Sequence, residues 1–134
     1  MSEPILVVDT SKIRKGKLDD VKAAFTGLAA FVETHEATPL AYNVYFDGGA
    51  RVTVVQLHPN TTSLERHLDI AGPRFAPFAD LLTLQRVDIY GMPGEAALQR
   101  LRQKAEMLGN APVVVNDFHA GFTRLALDRE HTVG

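Results

Sequence analysis

Residues 40–58 read LAYNVYFDGGARVTVVQLH, two runs rich in Val, Tyr and Thr that flank Asp47-Gly48-Gly49-Ala50. Runs of this composition predict β-strands, and a glycine pair between two such runs indicates a hairpin turn. We therefore predict paired antiparallel strands over residues 40–46 and 51–58.

The segments on either side of this hairpin alternate between strand and helix patterns. Residues 4–10 form a short apolar run, and residues 18–34 carry apolar side chains at helical spacing. After the hairpin, a turn leads into a helix that Gly72-Pro73 interrupts and residues 74–82 complete, and residues 84–90 again resemble a strand. This order predicts an α+β fold, a ferredoxin-like βαββαβ sandwich.

The C-terminal third adds elements to that sandwich. Residues 95–108 predict an amphipathic helix that ends at Gly109, and residues 113–115 and 122–127 predict two short strands. We assign residues 1–91 to a ferredoxin-like domain and residues 92–127 to an extension of the same domain. Residues 128–134 are a polar tail.

Composition excludes several classes of function. A chain of 134 residues suits one domain with a small core. It has no cysteine, so disulfides, thiolate zinc sites and cysteine nucleophiles are impossible. A formal net charge of -2 argues against nucleic-acid binding. Without a long apolar run or a basic N-terminal region, we expect no signal peptide and no membrane span, and a cytoplasmic location.

Apolar side chains occupy both faces of the predicted strands. Ile5 and Val7 share one face of the first strand, whereas Leu6 and Val8 share the other. Two helices cover only one face of such a sheet, so a second subunit or the C-terminal segment must cover the other. A homodimer packed sheet to sheet is the simpler arrangement.

The hairpin register decides which polar side chains lie under the helices. A loop of two or four residues pairs Tyr45 with Val52 and Asn43 with Val54, because paired residues share a face. That register predicts a cleft beneath the helices containing Asn43, Tyr45, Gln56 and His58, which His67 could also reach. It leaves a drier face for the subunit contact, made of Tyr42, Val44, Phe46, Thr53, Val55 and Leu57. A loop of three or five residues would reverse the assignment.

Several segments of the stretch from Ile5 to about Gly91 carry a family resemblance. They are Arg14-Lys15-Gly16-Lys17, Tyr42-Asn43-Val44-Tyr45-Phe46-Asp47, and Ser63-Leu64-Glu65-Arg66-His67-Leu68 followed by Phe75, Phe78 and Leu81. With these segments the chain resembles the antibiotic-biosynthesis monooxygenase-like dimeric α/β barrels. The resemblance implies a homodimer that forms a dimeric α/β barrel.

For the monooxygenase branch, the resemblance implies oxygenation of an aromatic or polyketide-like phenol without metal, flavin or other cofactor. Such a site needs a base or hydrogen-bond partner for a hydroxyl group, and an apolar wall. His67 is the candidate catalytic base, and Phe75 and Phe78 are candidates for the wall. Asn43, Tyr45 and His58 are the candidate polar substrate contacts. Tryptophan, often found in the pockets of that branch, is absent.

The haem-degrading branch of the same group fits the sequence less well. The chain aligns with this branch on Lys15-Gly16 and on the pattern of the second helix. It has Asp9 where an asparagine is expected and His58 where a tryptophan is expected. The position expected for a haem-ligating histidine falls near Ala79, so none of the three matches. We therefore expect no haem. His58 or His67 could in principle ligate a metal, but no spacing of histidines predicts a dedicated metal site.

Each candidate residue also has a purely structural interpretation. His67 could form a hydrogen bond to the backbone at the helix break, and His58, which directly precedes Pro59, could cap the turn that follows it. Asn43 goes against strand propensity, which favours a polar contact, whereas Tyr45 could simply be a packing residue. The alternative function is therefore a non-catalytic dimer that binds a small apolar ligand, or a stress-related protein of the same fold.

Overall fold

The computed structural model describes residues 3–124, which form one mixed β-sheet with helices on one face. The elements in chain order are β1 (Ile5–Ile13), α1 (Leu18–His35), β2 (Ala41–Asp47), β3 (Arg51–His58), α2 (Thr61–Ala71), β4 (Leu82–Tyr90), α3 (Glu95–Met107) and β5 (Val113–Asn116). Short 3-10 turns at Gly72–Arg74 and Ala76–Asp80 link α2 to β4.

The strand order in the sheet is β2-β3-β1-β4-β5. The β1, β2, β3 and β4 pairings are antiparallel, and β5 joins the edge strand β4 in parallel. This confirms the predicted α+β, ferredoxin-like order, extended by α3 and β5. The predicted strand over residues 122–127 is absent from residues 122–124, and its remainder lies outside the described residues.

The break in the second helix occurs where the sequence predicts it. Proline cannot donate the backbone hydrogen bond that an α-helix needs, so α2 stops at Ala71, just before Gly72-Pro73. The following residues form 3-10 turns rather than the second helical stretch predicted over residues 74–82. These turns direct Phe75 and Phe78 into the core, where each is buried.

The third helix packs on the same face of its own sheet as the other two. Ala97, Leu101 and Ala105 are buried on one side of α3 and belong to the common core. A peptide of this length would be marginally stable alone, so the buried side provides most of the stability of α3. The C-terminal extension up to β5 therefore leaves the opposite face of the sheet open.

The hairpin has a three-residue loop, and this reverses the predicted register. Asp47 pairs with Arg51, Tyr45 with Thr53, and Asn43 with Val55. Gly48 and Gly49 have φ of 57° and 78°, a left-handed conformation that glycine adopts without a steric penalty. The prediction from a two- or four-residue loop paired Tyr45 with Val52 and Asn43 with Val54. It is wrong, because the register is shifted by one residue.

Because the register is shifted by one residue, the side chains of β2 lie on the opposite faces of the sheet from those predicted. Tyr42, Val44 and Phe46 pack against the core beneath the helices, whereas the prediction placed them at the subunit contact. Asn43 and Tyr45 are exposed on the opposite side. The open face carries a largely apolar set of side chains, which includes Leu6, Val8, Tyr45, Thr53, Val55 and Leu57.

No helix within residues 3–124 is long and apolar enough to cross a membrane.

Candidate functional site

His67 and Glu36 form a buried pair between two helices. Glu36 lies directly after α1, and its backbone N–H donates a hydrogen bond to the carbonyl oxygen of Val32. His67 lies on the inner side of α2. Nδ1 of His67 is 3.0 Å from both carboxylate oxygens of Glu36. The side chains are only 1% and 2% exposed, so water does not screen the pair.

This pairing determines where the imidazole carries its proton. An ionised carboxylate only accepts hydrogen bonds, so Nδ1 of His67 is the donor. In the neutral form of the ring, Nε2 is then an unprotonated acceptor. It is buried and has no hydrogen-bond partner among the described residues. An unsatisfied buried group costs about 1–3 kcal/mol, so such an atom marks a place where a ligand or water is expected to bind.

His58 lies beneath the helices, as predicted, but both of its ring nitrogens are already bonded. Nδ1 is 2.8 Å from the hydroxyl oxygen of Ser63, and the Thr38 hydroxyl donates a hydrogen bond to the same oxygen. Nε2 is 3.0 Å from the side-chain carbonyl oxygen of Gln56. The Gln56 oxygen can only accept, so Nε2–H of His58 is the donor, and in the neutral ring Nδ1 then accepts from the Ser63 hydroxyl.

The surroundings of His58 favour the same neutral form. Burial lowers the pKa of His58 from 6.5 to about 4, and the neighbouring His67 contributes to the decrease. The two rings lie 5.6 Å apart. His58 has no free nitrogen for a substrate, and we interpret it as a support that orients α2 through Ser63.

A small cavity lies between the sheet and the helices. This inner cavity has a volume of about 30 Å³ and is lined by Asp9, Ser11, Tyr42, Phe75, Phe78 and Lys104, among others. The two phenylalanines predicted to form an apolar wall therefore do line a cavity. A site of this size holds about two water molecules, since one needs about 10–15 Å³.

The polar end of the inner cavity is a buried ion pair. Nζ of Lys104, from α3, lies 2.8 Å from Oδ2 of Asp9 in β1. The other carboxylate oxygen of Asp9, Oδ1, is buried without a partner among the described residues. The pairing of β1 with β4 shifts by one residue next to Asp9: Thr10 pairs with Arg86 and Ser11 with Leu84, so the extra residue, Gln85, lies in β4. Such irregularities are common beside functional sites.

Tyr42 connects the histidine to the inner cavity. Its ring is 5.6 Å from the ring of His67, and the residue also lines the cavity. Burial and the negative charges of Asp9 and Glu36 raise the pKa of Tyr42 far above its usual value. The phenol therefore stays neutral at any working pH and can act as a hydrogen-bond donor.

A wider groove opens on the surface next to the inner cavity. It has a volume of about 490 Å³ and lies between α1 and β2, with Phe25, Tyr42 and Asn43 among its lining residues. Phe25 and Tyr42 line the inner cavity as well. Volumes of about 300–1,000 Å³ accommodate small-molecule ligands, so this groove is large enough for a ligand. Two further surface spaces are of similar size, one of about 450 Å³ beside Glu36 and one of about 390 Å³ beside Lys104.

The candidate residues of β2 do not join the polar cluster. The prediction placed Asn43 and Tyr45 beneath the helices with His58 and His67, and this is wrong because the three-residue loop turns both away. Tyr45 is 55% exposed on the open face. Asn43 lines the groove between α1 and β2 and the neighbouring surface space beside Glu36, both along the edge strand.

Sequence reasoning missed three residues of the cluster, namely Glu36, Asp9 and Lys104. Glu36 follows the predicted end of α1, and nothing local shows that a charged loop residue is buried. Asp9 gave the clearest signal, since a carboxylate directly after the apolar run Ile5 to Val8 is unusual in a buried strand. Lys104 falls on the polar pattern of α3, so only the folded chain reveals that it points inward.

Within residues 3–124, no three histidine, aspartate or glutamate side chains cluster closely enough to form a candidate metal site.

Neither the protein-family models nor the curated proteins provide a match to this sequence. Solved structures do resemble it. MupZ from Pseudomonas fluorescens superposes with a TM-score of 0.72 at 16% identity, over 92% of this chain and 97% of MupZ. SnoaB, a cofactor-independent oxygenase from Streptomyces nogalater, has a TM-score of 0.58 at 12% identity, over 70% of this chain and 97% of SnoaB.

A third solved structure identifies the fold. It comes from Caulobacter crescentus, is assigned provisionally to the antibiotic biosynthesis monooxygenases, and has a TM-score of 0.59 at 21% identity over 70% of this chain and 92% of its own. This chain has the antibiotic biosynthesis monooxygenase fold. The resemblance identified in the sequence is thus confirmed at the level of fold.

The comparisons also separate the common part of this monooxygenase fold from its extension. The 70% of this chain matched by SnoaB is about the length of β1 through β4. MupZ matches 92% of this chain, and the unmatched remainder is shorter than α3 and β5 together, so the match includes at least part of these two elements. The helix that carries Lys104 is therefore part of a fold variant that resembles MupZ more than SnoaB.

Proposed function

We propose that this protein is a cofactor-independent monooxygenase that acts on an aromatic or polyketide-like phenol, with His67 as the general base. The observation that carries the proposal is the buried Nε2 of His67, which has no hydrogen-bond partner within residues 3–124 while Glu36 accepts a hydrogen bond from Nδ1. A histidine oriented in this way by a carboxylate is an effective proton acceptor, because the carboxylate stabilises the imidazolium that forms.

The proposed reaction starts with proton transfer from an aromatic hydroxyl group to Nε2 of His67. The electron-rich ring then reduces dioxygen and forms a carbon-bound peroxide at the position opposite the oxygen. His67 returns its proton to the outer peroxide oxygen. The carbon that bears the peroxide then loses its hydrogen as a proton, the electron pair of that C–H bond forms the new carbonyl group, and the O–O bond breaks. The leaving hydroxide takes up the proton released from the carbon and departs as water. Overall, a ring CH₂ or its enol and one O₂ give a carbonyl and one water.

The side chains around His67 suit an aromatic substrate. The rings of Tyr42 and Phe75 lie 5.6 and 6.1 Å from the imidazole. Aromatic pairs at such distances stabilise each other in tilted and offset arrangements, which is the kind of contact that a planar ligand would make with these rings. The groove between α1 and β2 is the proposed route by which the ligand approaches, with Tyr42 between groove and cavity.

A second candidate function is non-catalytic binding of a small apolar ligand by a dimer of the same fold. The observation that favours it is the volume of the inner cavity, about 30 Å³. That is far below the volume of a polycyclic phenol, so turnover requires the cavity and the groove to merge by movement of side chains such as Tyr42.

Oxygen uptake with dithranol and a panel of anthrols and hydroquinones distinguishes the two candidates. We expect wild-type protein, without added metal or cofactor, to consume one O₂ per dithranol above the spontaneous rate. His67→Gln should lower the rate about 100-fold or more, the range for loss of a general base. His35→Gln, a matched control at an exposed histidine of α1, should leave it unchanged. No uptake with any compound, or equal uptake by His67→Gln, rejects the oxygenase proposal.

We also propose that the protein forms a homodimer through the open face of the sheet. Support comes from the apolar side chains on that face, with Leu6, Val8, Val55 and Leu57 among them. A contiguous apolar sheet face of this kind is characteristic of a protein interface. The α3–β5 extension packs on the helix side and β5 lies at the sheet edge, so they leave this face free for a second copy.

A further inference from the structure

Asp9 and Lys104 form an ion pair that is costly to maintain and that the proposed proton transfer does not use. The side chains are 7% and 10% exposed, and Nζ lies 2.8 Å from Oδ2. Removing two charges from water is costly even when they pair well, so such a pair is weak evidence for a purely stabilising role. The pair is therefore a candidate for function.

The surroundings of the pair point to a ligand. Oδ1 of Asp9 has no hydrogen-bond partner among the described residues, and both residues line the inner cavity. Lys104 also lies over the ring of Phe75, with Nζ 4.4 Å from its centroid. The pair thus offers an acceptor and a cation side by side at the polar end of a cavity with an aromatic wall.

A hydroxyl group complements this arrangement. It donates one hydrogen bond and accepts another, so it can donate to Oδ1 of Asp9 while accepting from Nζ of Lys104. A carbonyl or an ether lacks the hydrogen for Oδ1, and an anion would be repelled by the carboxylate.

We propose that Asp9 and Lys104 form a binding subsite for a second hydroxyl group of the aromatic ligand, separate from the hydroxyl that faces His67. This inference rests on the proposed function, since it assumes that the same ligand reaches both polar ends. Phe75 and Tyr42 support that assumption, because each lies beside His67 and also lines the inner cavity. The substrate class is therefore a polyphenol with two separated oxygen atoms, and α3 contributes to its selection.

Two ligands that differ by one hydrogen-bond donor test the subsite. We choose 2,7-dihydroxynaphthalene and 7-methoxy-2-naphthol, measured by anaerobic titration so that no turnover is needed. Both keep one hydroxyl group for His67, and only the first has another for Asp9. Wild-type protein should bind the dihydroxy compound at least tenfold more tightly.

Asp9→Asn keeps the shape of the side chain but removes its charge and one acceptor. This variant should bind the two ligands within twofold of each other. Arg100→Gln is the matched control, because it removes another ion pair of α3, with Asp69 on the surface, and leaves the inner cavity unchanged. It should retain the tenfold preference. An unchanged preference in Asp9→Asn, or no binding of either ligand to wild type, overturns the proposal.

A second measurement keeps the proposal testable if Asp9→Asn does not fold. In wild-type protein with labelled lysine, the dihydroxy compound should shift the Nζ and Cε resonances of Lys104, identified by their loss in Lys104→Gln. The 2,7-dimethoxynaphthalene analogue should not shift them. Resonances that stay fixed with the dihydroxy compound bound reject the subsite.

Failure of the subsite and failure of the oxygenase proposal give different results. Tight, Asp9-dependent binding of the dihydroxy compound without oxygen uptake retains the subsite and rejects the oxygenase. Oxygen uptake that depends on His67, with no effect of Asp9→Asn on ligand preference, retains the oxygenase proposal and rejects the subsite.

Discussion

The carboxylate of Glu36 holds the imidazole of His67 at 3.0 Å across the boundary between α1 and α2. The two residues are 31 positions apart in sequence, so the contact fixes both the packing of the helices and the orientation of the ring. Two consequences of this arrangement, one energetic and one chemical, can be measured separately.

Removal of Glu36 should strongly destabilise the fold. Glu36→Ala leaves the Nδ1–H of a neutral His67 buried without an acceptor, and an unsatisfied buried donor costs about 1–3 kcal/mol. Glu36→Gln retains a carbonyl acceptor for Nδ1 and should cost less. Urea unfolding measures both free energies of unfolding. Asp69→Asn, at the exposed pair with Arg100, is the control and should change stability by less than about 1 kcal/mol. Equal effects of Glu36→Ala and Asp69→Asn would show that the buried pair contributes little.

Acid should destabilise the protein through His58. Its pKa is 6.5 in the unfolded chain and about 4 in the fold, so between these values the unfolded state binds a proton that the folded state does not. The contribution of neutral His58 to the free energy of unfolding is therefore fully present above pH 6.5. It is lost as the pH decreases, and the loss levels off near pH 4. The loss attributable to His58 amounts to about 2 kcal/mol at pH 5.

Urea unfolding at pH 7 and pH 5 measures this dependence, with His58→Gln as the comparison. Glutamine has no charge to gain, so the variant should lose about 2 kcal/mol less than wild type over the same interval. Identical pH dependence in the two proteins would mean that folding does not lower the pKa of His58.

The open face of the sheet should control the oligomeric state. Val55→Lys places a charge on that face, and we expect it to give a folded monomer where wild type is a dimer, as measured by light scattering after size-exclusion chromatography. Val54→Lys places the same charge one residue away, in the core beneath the helices, where Val54 is 4% exposed. It should unfold the chain. A wild-type monomer at micromolar concentration, or a Val55→Lys dimer, contradicts the proposed interface.

The order of the elements could be predicted from the sequence because each signal is local. Apolar spacing marks α1, the glycine pair marks the hairpin, and Gly72-Pro73 marks the end of α2. Each of these depends on a few neighbouring residues and the backbone geometry they allow.

The composition of the site could not be predicted in the same way, because it depends on contacts between distant residues. One extra loop residue between Asp47 and Arg51 moved Asn43 and Tyr45 to the other face, and composition alone does not determine the length of a glycine-rich loop. Asp9 and Lys104 are 95 positions apart. Their pairing follows from the position of α3 on the sheet, which no local pattern specifies.

The central claim is that Nε2 of His67 is an unprotonated acceptor that takes a proton from a bound phenol. The ¹⁵N resonances of His67, recorded anaerobically while dithranol is added, test it most directly. We predict a ring protonated at Nδ1 alone in the free protein, and protonation of Nε2 as dithranol binds and loses its hydroxyl proton. If Nε2 already carries the proton in the free protein, or stays unprotonated with dithranol bound as a phenolate, the claim is wrong.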